Sequence, residues 1–124
     1  MLQLRSILNA TDNTGAQKLE MIGMPAKGNK HYAYVGDVIT VVVKEAAPYS
    51  QVKKGEIYQA VITRTRKERK RKDGSYIRFD DNSCAILFDK ESKDPKGSRI
   101  FGPIAKEVKD AGFNKIASLA EEIY

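Results

Sequence analysis

Cysteine and histidine are nearly absent: the 124 residues hold one of each, Cys84 and His31. One cysteine forbids an internal disulfide and fits a reducing compartment. A single His and a single Cys cannot build the usual zinc site of Cys and His ligands. No apolar run reaches membrane-spanning length, which excludes a transmembrane helix. The amino-terminal Met1-Leu2-Gln3-Leu4-Arg5-Ser6 lacks the basic-then-apolar layout of a secretory signal. Lys27-Gly28 and Lys54-Gly55 stand without the spacing of a phosphate-binding loop, and the dinucleotide fingerprint is missing.

The residues that chemistry would need are equally thin. His31, beside Lys30 and Tyr32, has no sequence-local partner and reads as a surface or RNA-contact residue. Cys84 lies in a strand-like segment and reads as an inert buried thiol. Asp80 and Asp81 are neighbours, and on a strand neighbours point to opposite faces, so they do not converge on a metal or a proton. A turn, or an ion pair with Arg78, is the expected role for them. No catalytic residue, metal site or cofactor is expected, and the chain is not read as an enzyme. A catalytic Cys84–His31 pair remains the enzyme alternative.

What is present is charge, in one place. Arg64-Thr65-Arg66-Lys67-Glu68-Arg69-Lys70-Arg71-Lys72 holds seven basic groups and one acid. Removing those from totals of 22 Lys+Arg and 16 Asp+Glu leaves 15 of each, so nine residues carry the whole net charge of +6. A concentrated cationic patch on a neutral body points to a polyanion more strongly than diffuse basicity does. Nucleic acid is favoured, while acidic membranes and acidic proteins stay open on charge alone. Seven cations meeting seven phosphates give a log–log salt slope of about −5 to −6. A merely solvated loop, or a nuclear localisation signal, is the alternative.

Hydrophobic residues at 41% and charged residues at 31% describe a globular chain, with one domain over 1–124. The dominant period is two. Strands are expected over Gln17–Met24, Val38–Val43, Ile57–Ile62 and Asn82–Phe88, with Cys84, Ile86 and Phe88 on one side. Gly36-Asp37 and Gly55-Glu56 each precede a β-rich run, a repeated turn-into-strand device. Asp73-Gly74 signals a hairpin with a tight primed turn, flanked by Val61–Arg66 and Tyr76–Phe79. The basic run therefore lies on the ascending arm and tip of a projecting, two-sided hairpin over 60–80. Pro103 suits a helix start, and Ile104, Val108 and Ala111 form a stripe that Gly112 ends. Phe113, Ile116 and Leu119 suggest a further short helical piece. The fold class is mainly β: a small closed β-barrel of about five strands over roughly 1–100, a projecting hairpin, and a short helical C-terminus over 103–120.

At these residues the chain resembles the bacterial-type large-subunit ribosomal protein fourteen family, the universal ribosomal L-fourteen family. The resemblance runs through Asp12-Asn13-Thr14-Gly15-Ala16, Tyr32-Ala33, Val35-Gly36-Asp37 and Val52-Lys53-Lys54-Gly55-Glu56. It continues through Asp73-Gly74-Ser75-Tyr76-Ile77-Arg78-Phe79-Asp80-Asp81-Asn82, then Arg99-Ile100-Phe101-Gly102-Pro103 and Lys115-Ile116-Ala117-Ser118-Leu119-Ala120. It implies a small barrel with a projecting hairpin and a helical C-terminus. It also implies a structural protein of the large ribosomal subunit that binds its rRNA and joins bridges with small-subunit rRNA. Neighbours L-three and L-nineteen are implied, as is docking of a ribosome silencing factor on Ser98, Arg99 and Lys115. The setting implied is the ribosome, cytoplasmic by expectation, with an organellar ribosome left open, and no membrane partner.

Several positions depart from the family. Lys30-His31 stands where Arg-Arg is frequent, Ser98 where threonine is usual, and Glu121 where proline is usual. Thr63 and Ala85 replace aliphatic residues, and Glu68 and Lys72 often correspond to glycine and proline. The expected rRNA contacts are Arg64, Arg66, Lys67, Arg69, Lys70, Arg71, Lys72 and Arg78, with Lys53, Lys54 and Arg99 as second choices. Neutralising Arg69, Lys70, Arg71 and Lys72 is expected to weaken rRNA association and leave melting unchanged. A free-standing single-stranded RNA binder of OB-like or SH3-like type is the alternative function.

Overall fold

The computed structural model describes residues 2–24, 32–89 and 93–124; Lys27-Gly28, Lys30 and His31 lie outside them. Five strands close a barrel: β1 (Ile7–Ala10), β2 (Ala16–Gly23), β3 (Val38–Ala46), β4 (Ile57–Arg64) and β7 (Ser83–Ile86). Neighbours pair antiparallel except at the closure, where β1 and β7 run parallel with Asn9 opposite Ser83 and Ala10 opposite Cys84. Strand β3 shows how the sequence achieves this. Val38-Ile39-Thr40-Val41-Val42-Val43 is β-branched throughout, and its alternate members Ile39, Val41 and Val43 turn inward and are fully or almost fully buried. With Leu8, Leu19, Met21, Ile62 and Ile86 they fill the barrel interior. Each such side chain contributes about 1.5–3 kcal/mol by leaving water.

The repeated Gly-acid device is one turn used twice. The Tyr34 carbonyl accepts from Asp37 N–H at 3.0 Å, and the Lys53 carbonyl accepts from Glu56 N–H at 3.2 Å. Gly36 and Gly55 sit at the third position with φ of +88° and +90°, which a side-chain-bearing residue resists. The acid then reaches back: Tyr34 N–H donates to Asp37 Oδ2 and Lys53 N–H to Glu56 Oε1, each at 2.9 Å. Each turn launches a barrel strand.

A second apolar layer covers one flank of the barrel. Val61, Ala85 and Leu87 point out of the barrel and meet Ile104, Val108, Phe113 and Ile116 from the C-terminal segment. That is why β7 is buried at all four positions and β4 at four in a row. The segment comprises β8 (Pro103–Ile104), α1 (Lys106–Asp110), α2 (Asn114–Leu119) and β9 (Glu122–Ile123), with β8 and β9 paired parallel. Among the described residues no helix is long and apolar enough to cross a membrane.

Three expectations need correction. Pro103 and Ile104 are strand, not the first turn of a helix, because pairing with Glu122 and Ile123 captures them; α1 starts at Lys106. Ala111 caps α1 and is exposed, so the buried stripe ends at Val108. Phe88 falls beyond β7 and is exposed, while Cys84 and Ile86 face inward. The hairpin stands apart from the barrel: β5 (Arg69–Lys70) and β6 (Tyr76–Ile77) form their own two-stranded sheet, with Tyr76 and Ile77 on its returning arm. The fifth barrel strand is β1, which the alternation does not reveal. Glu121, in place of proline, leaves the path extended: Ala120 caps α2 at φ −71°, ψ 144° and the chain runs into β9.

Candidate nucleic-acid interface

The basic run leaves the barrel at Arg64, turns, and forms the first arm of the β5–β6 hairpin. Its loop has three residues, Lys72, Asp73 and Gly74, rather than a two-residue primed turn. Arg71 N–H donates to the Ser75 carbonyl at 2.8 Å and Gly74 N–H to the Arg71 carbonyl at 3.0 Å. Gly74 takes φ +88°, the left-handed residue such loops need. Ser75 donates to Asp73 Oδ1 through its hydroxyl at 2.6 Å and its amide at 2.9 Å, and these bonds hold the Asp73 carboxyl below the usual range.

Alternation sorts four of the run's charges, Arg69 to Lys72, onto two faces, and the faces have different jobs. Arg69 lies opposite Ile77, and Lys70 opposite Tyr76. Arg69, Arg71 and Ile77 are half-buried and turn toward the body; Lys70, Lys72 and Tyr76 are exposed. Arg69 stacks 5.4 Å above the Tyr34 ring and donates to the Val35 carbonyl at 3.2 Å. The Arg71 guanidinium meets Glu107 Oε1 through Nε at 2.9 Å and also donates to the Tyr124 carbonyl. The two-sided arm is therefore basic to solvent on one side and docked on the other. Grooves of about 340 and 410 Å³ flank it, the first floored by Lys106, Glu107 and Asp110, the second by Pro103 and Tyr124.

Arg64 is also committed inward. Its Nε lies 3.2 Å from Asp81 Oδ1 and its Nη2 donates to Ser83 Oγ at 3.0 Å. Asp81 Oδ2 further accepts from the Ser83 hydroxyl at 2.9 Å and Asn9 Nδ2 at 3.2 Å. Asp81 thus pairs with Arg64, not Arg78. Gly102, at φ +75°, lies against the same guanidinium, where a Cβ would collide with it. Of the predicted rRNA contacts, Arg66, Lys67, Lys70, Lys72 and Arg78 are exposed, and Arg64, Arg69 and Arg71 are half-buried and paired.

Lys53 and Lys54 are exposed but lie before the opposite end of β4. Eight strand residues at roughly 3.3 Å each place them about 25 Å from Arg64, so they form a separate basic site. Tyr49 stands fully exposed on the loop before them with φ +61°. Ser98, Arg99 and Lys115 are all exposed. Asn13 organises the first two: its Oδ1 accepts from Ser98 N–H at 2.9 Å and Arg99 N–H at 3.1 Å, and its Nδ2 donates to Ser98 Oγ at 2.9 Å. Ile100 and Ile116, next to Arg99 and Lys115, belong to one apolar cluster, so both cations rim the C-terminal layer.

Cys84 is fully buried, and burial pushes its thiol far above the ordinary range. Among the described residues, no three His, Cys, Asp or Glu side chains gather as metal ligands. Sequence reasoning missed Glu107, Tyr124 and Asn13 as organisers of the two candidate faces. Asn13 sits in a quoted motif and was within reach; Glu107 carries no local signal.

Comparison with known proteins bears on the whole chain. The family model for ribosomal protein L14p/L23e matches residues 1–124. Large ribosomal subunit protein uL14 of Aquifex aeolicus (strain VF5) is 54% identical over 123 residues, covering 99% of both chains. Its counterparts in Aquifex pyrophilus and Hydrogenobaculum sp. (strain Y04AAS1) are each 53% identical over the same span and coverage.

Proposed function

The chain belongs to the ribosomal protein L14p/L23e family and is a structural constituent of the large ribosomal subunit; from that premise we propose that the solvent face of its hairpin binds large-subunit rRNA. The observation that carries this is the sorting of charge. Arg66, Lys67, Lys70, Lys72 and Arg78 stay exposed while the remaining cations of the run are spent on holding the hairpin. Phosphates meeting those five cations release counterions, with a log–log salt slope of about −3.5 to −4.5. Exposed Tyr76, opposite Lys70, adds a ring on which an unpaired base can stack. Arg69, held by a carbonyl and a ring, adds positive potential from behind, whereas Arg64 and Arg71 are offset by Asp81 and Glu107. Lys53, Lys54 and Tyr49, at the far end of the barrel, reach a different stretch of rRNA. A protein with basic sites at two ends suits the subunit interface, where it takes part in bridges with small-subunit rRNA beside proteins L-three and L-nineteen. Ser98, Arg99 and Lys115 form a docking face for a ribosome silencing factor, supported by the rigid Asn13 bonds and the shared apolar layer beneath. The work is done in the ribosome, in the cytoplasm.

The test uses sucrose gradients and salt titration. The protein should co-sediment with large subunits through a moderate-salt wash; a slow-sedimenting pool alone would instead support a free-standing single-stranded RNA binder. Lys70→Gln with Lys72→Gln should flatten the salt slope by roughly 1.4–1.8, the share of two phosphates. An unchanged slope would mean the outer face is only solvated.

A further inference from the structure

The hairpin cannot stand by itself. It has two cross-strand pairs, and an isolated two-stranded hairpin is marginal in water. Its direction is set by what it touches on the body. At its base, Phe79 N–H donates to the Thr65 carbonyl at 3.0 Å and Arg66 N–H to Asn82 Oδ1 at 2.8 Å. Arg69 rests on Tyr34 and Val35. Nearest the tip is the ion pair of Arg71 with Glu107, whose side chains are only 23% and 19% exposed.

Glu107 is itself held hard. Val108 beside it is fully buried, and its backbone lies so close to Gly36 that a Cβ there would stand 3.0 Å from the Glu107 carbonyl oxygen. Its Oε2 and the Arg71 Nε are both buried with no hydrogen-bond partner among the described residues, so the 2.9 Å contact of Nε with Oε1 is an ion pair rather than a hydrogen bond. Burying a carboxylate with one oxygen unsatisfied opposes folding, and an apolar pair of similar volume would serve packing as well or better. Net stability therefore does not explain why the pair is there, although removing one partner would still cost stability.

We infer that Glu107 is a positioning residue: it clasps Arg71, with the Tyr124 carbonyl as second anchor, and so aims the outer face of the hairpin before any polyanion arrives. This rests on the rRNA-binding reading above for its purpose, but the clasp is measurable without RNA. The two β8–β9 partners keep the second anchor in place, since Tyr124 N–H donates to the Ile104 carbonyl at 3.0 Å. A pre-aimed arm loses less conformational freedom on binding, which raises affinity without adding a contact.

The sign of the effect separates this from plain electrostatics. Glu107→Gln removes a negative charge, so charge alone predicts tighter rRNA binding. Loss of the clasp predicts weaker binding, by roughly 3- to 10-fold, the worth of ordering about one long side chain. The salt slope should stay as in the parent, because no phosphate contact is lost. The experiment measures hydrogen exchange of the Arg71 and Gly74 amides in the free full-length protein, then salt titration against large-subunit rRNA stripped of protein. Faster exchange at the hairpin with weaker binding and an unchanged slope supports the inference. Parental exchange in Glu107→Gln, or tighter binding, overturns it. If Glu107→Gln does not fold, Arg71→Lys keeps the charge but cannot hold both anchors, and should show the same faster exchange. If the parent protein fails to bind this rRNA in a salt-dependent way, the functional reading falls, while the exchange data still decide the clasp.

Discussion

Thr63 is fully buried on β4, and its Oγ1 has no hydrogen-bond partner among the described residues. A hydroxyl taken from water without a new partner costs about 1–3 kcal/mol. Valine has the same branched shape and the same liking for strands, so Thr63→Val should raise stability by about 1 kcal/mol. Denaturant unfolding at constant m-value checks this; a lower midpoint would mean the hydroxyl is bonded in solution. Asp12 is the converse case, a buried acid that is well bonded. Its Oδ2 accepts from Ile86 N–H at 2.9 Å and its Oδ1 from the Thr14 hydroxyl at 2.7 Å. Burial nevertheless raises its pKa above the ordinary 3.8, outweighing the bonds to Thr14 and Ile86. A raised folded-state pKa contributes stability that is complete below the unfolded value and is lost as pH rises through the folded one. The parent should therefore lose stability relative to Asp12→Asn as pH climbs from about 4 toward neutrality. Parallel melting-temperature curves for the two proteins would refute this.

At the scale of elements, what was legible was local. The turns at Gly36-Asp37 and Gly55-Glu56 were readable because glycine geometry and the reach of the acid lie within four residues. The strands they launch were readable from alternation. Barrel closure was not, because β1 offers only Leu8 as a buried hydrophobic and finds its parallel partner in β7 far along the chain. Pro103 misled because a local preference for a helix start lost to pairing with β9. The charge run was seen as one patch, but which of its faces is spoken for depends on Glu107, distant in sequence. That changes the prediction for the arm: neutralising all four of Arg69, Lys70, Arg71 and Lys72 should now lower melting. Removing Lys70 and Lys72 touches only exposed charge and should leave melting unchanged, since such groups contribute little. Replacing Arg69 and Arg71 breaks four docking contacts, with Tyr34, Val35, Glu107 and Tyr124. The two double variants, melted side by side, separate the faces, and equal melting would show that docking contributes nothing.

Across the whole molecule, barrel, C-terminal layer and hairpin share one chain of support. The outer residues of β4 and β7 hold the layer through Ile104, Val108, Phe113 and Ile116, and the layer holds the hairpin through Glu107 and Tyr124. Loosening the layer should therefore loosen the arm, though no residue of the arm is changed. Ile116 is fully buried in that cluster, and truncating such a side chain typically costs about 2–5 kcal/mol, part transfer and part cavity. Ile39 is equally buried but in the barrel interior. Ile116→Ala and Ile39→Ala should lower global stability by similar amounts. Their local signatures should differ: native-state hydrogen exchange should rise at the hairpin amides in Ile116→Ala well beyond its rise in Ile39→Ala, because partial opening of the layer releases the clasp without opening the barrel. Equal hairpin exchange in the two variants would mean that the arm is supported by the barrel alone, through Thr65, Asn82 and Tyr34.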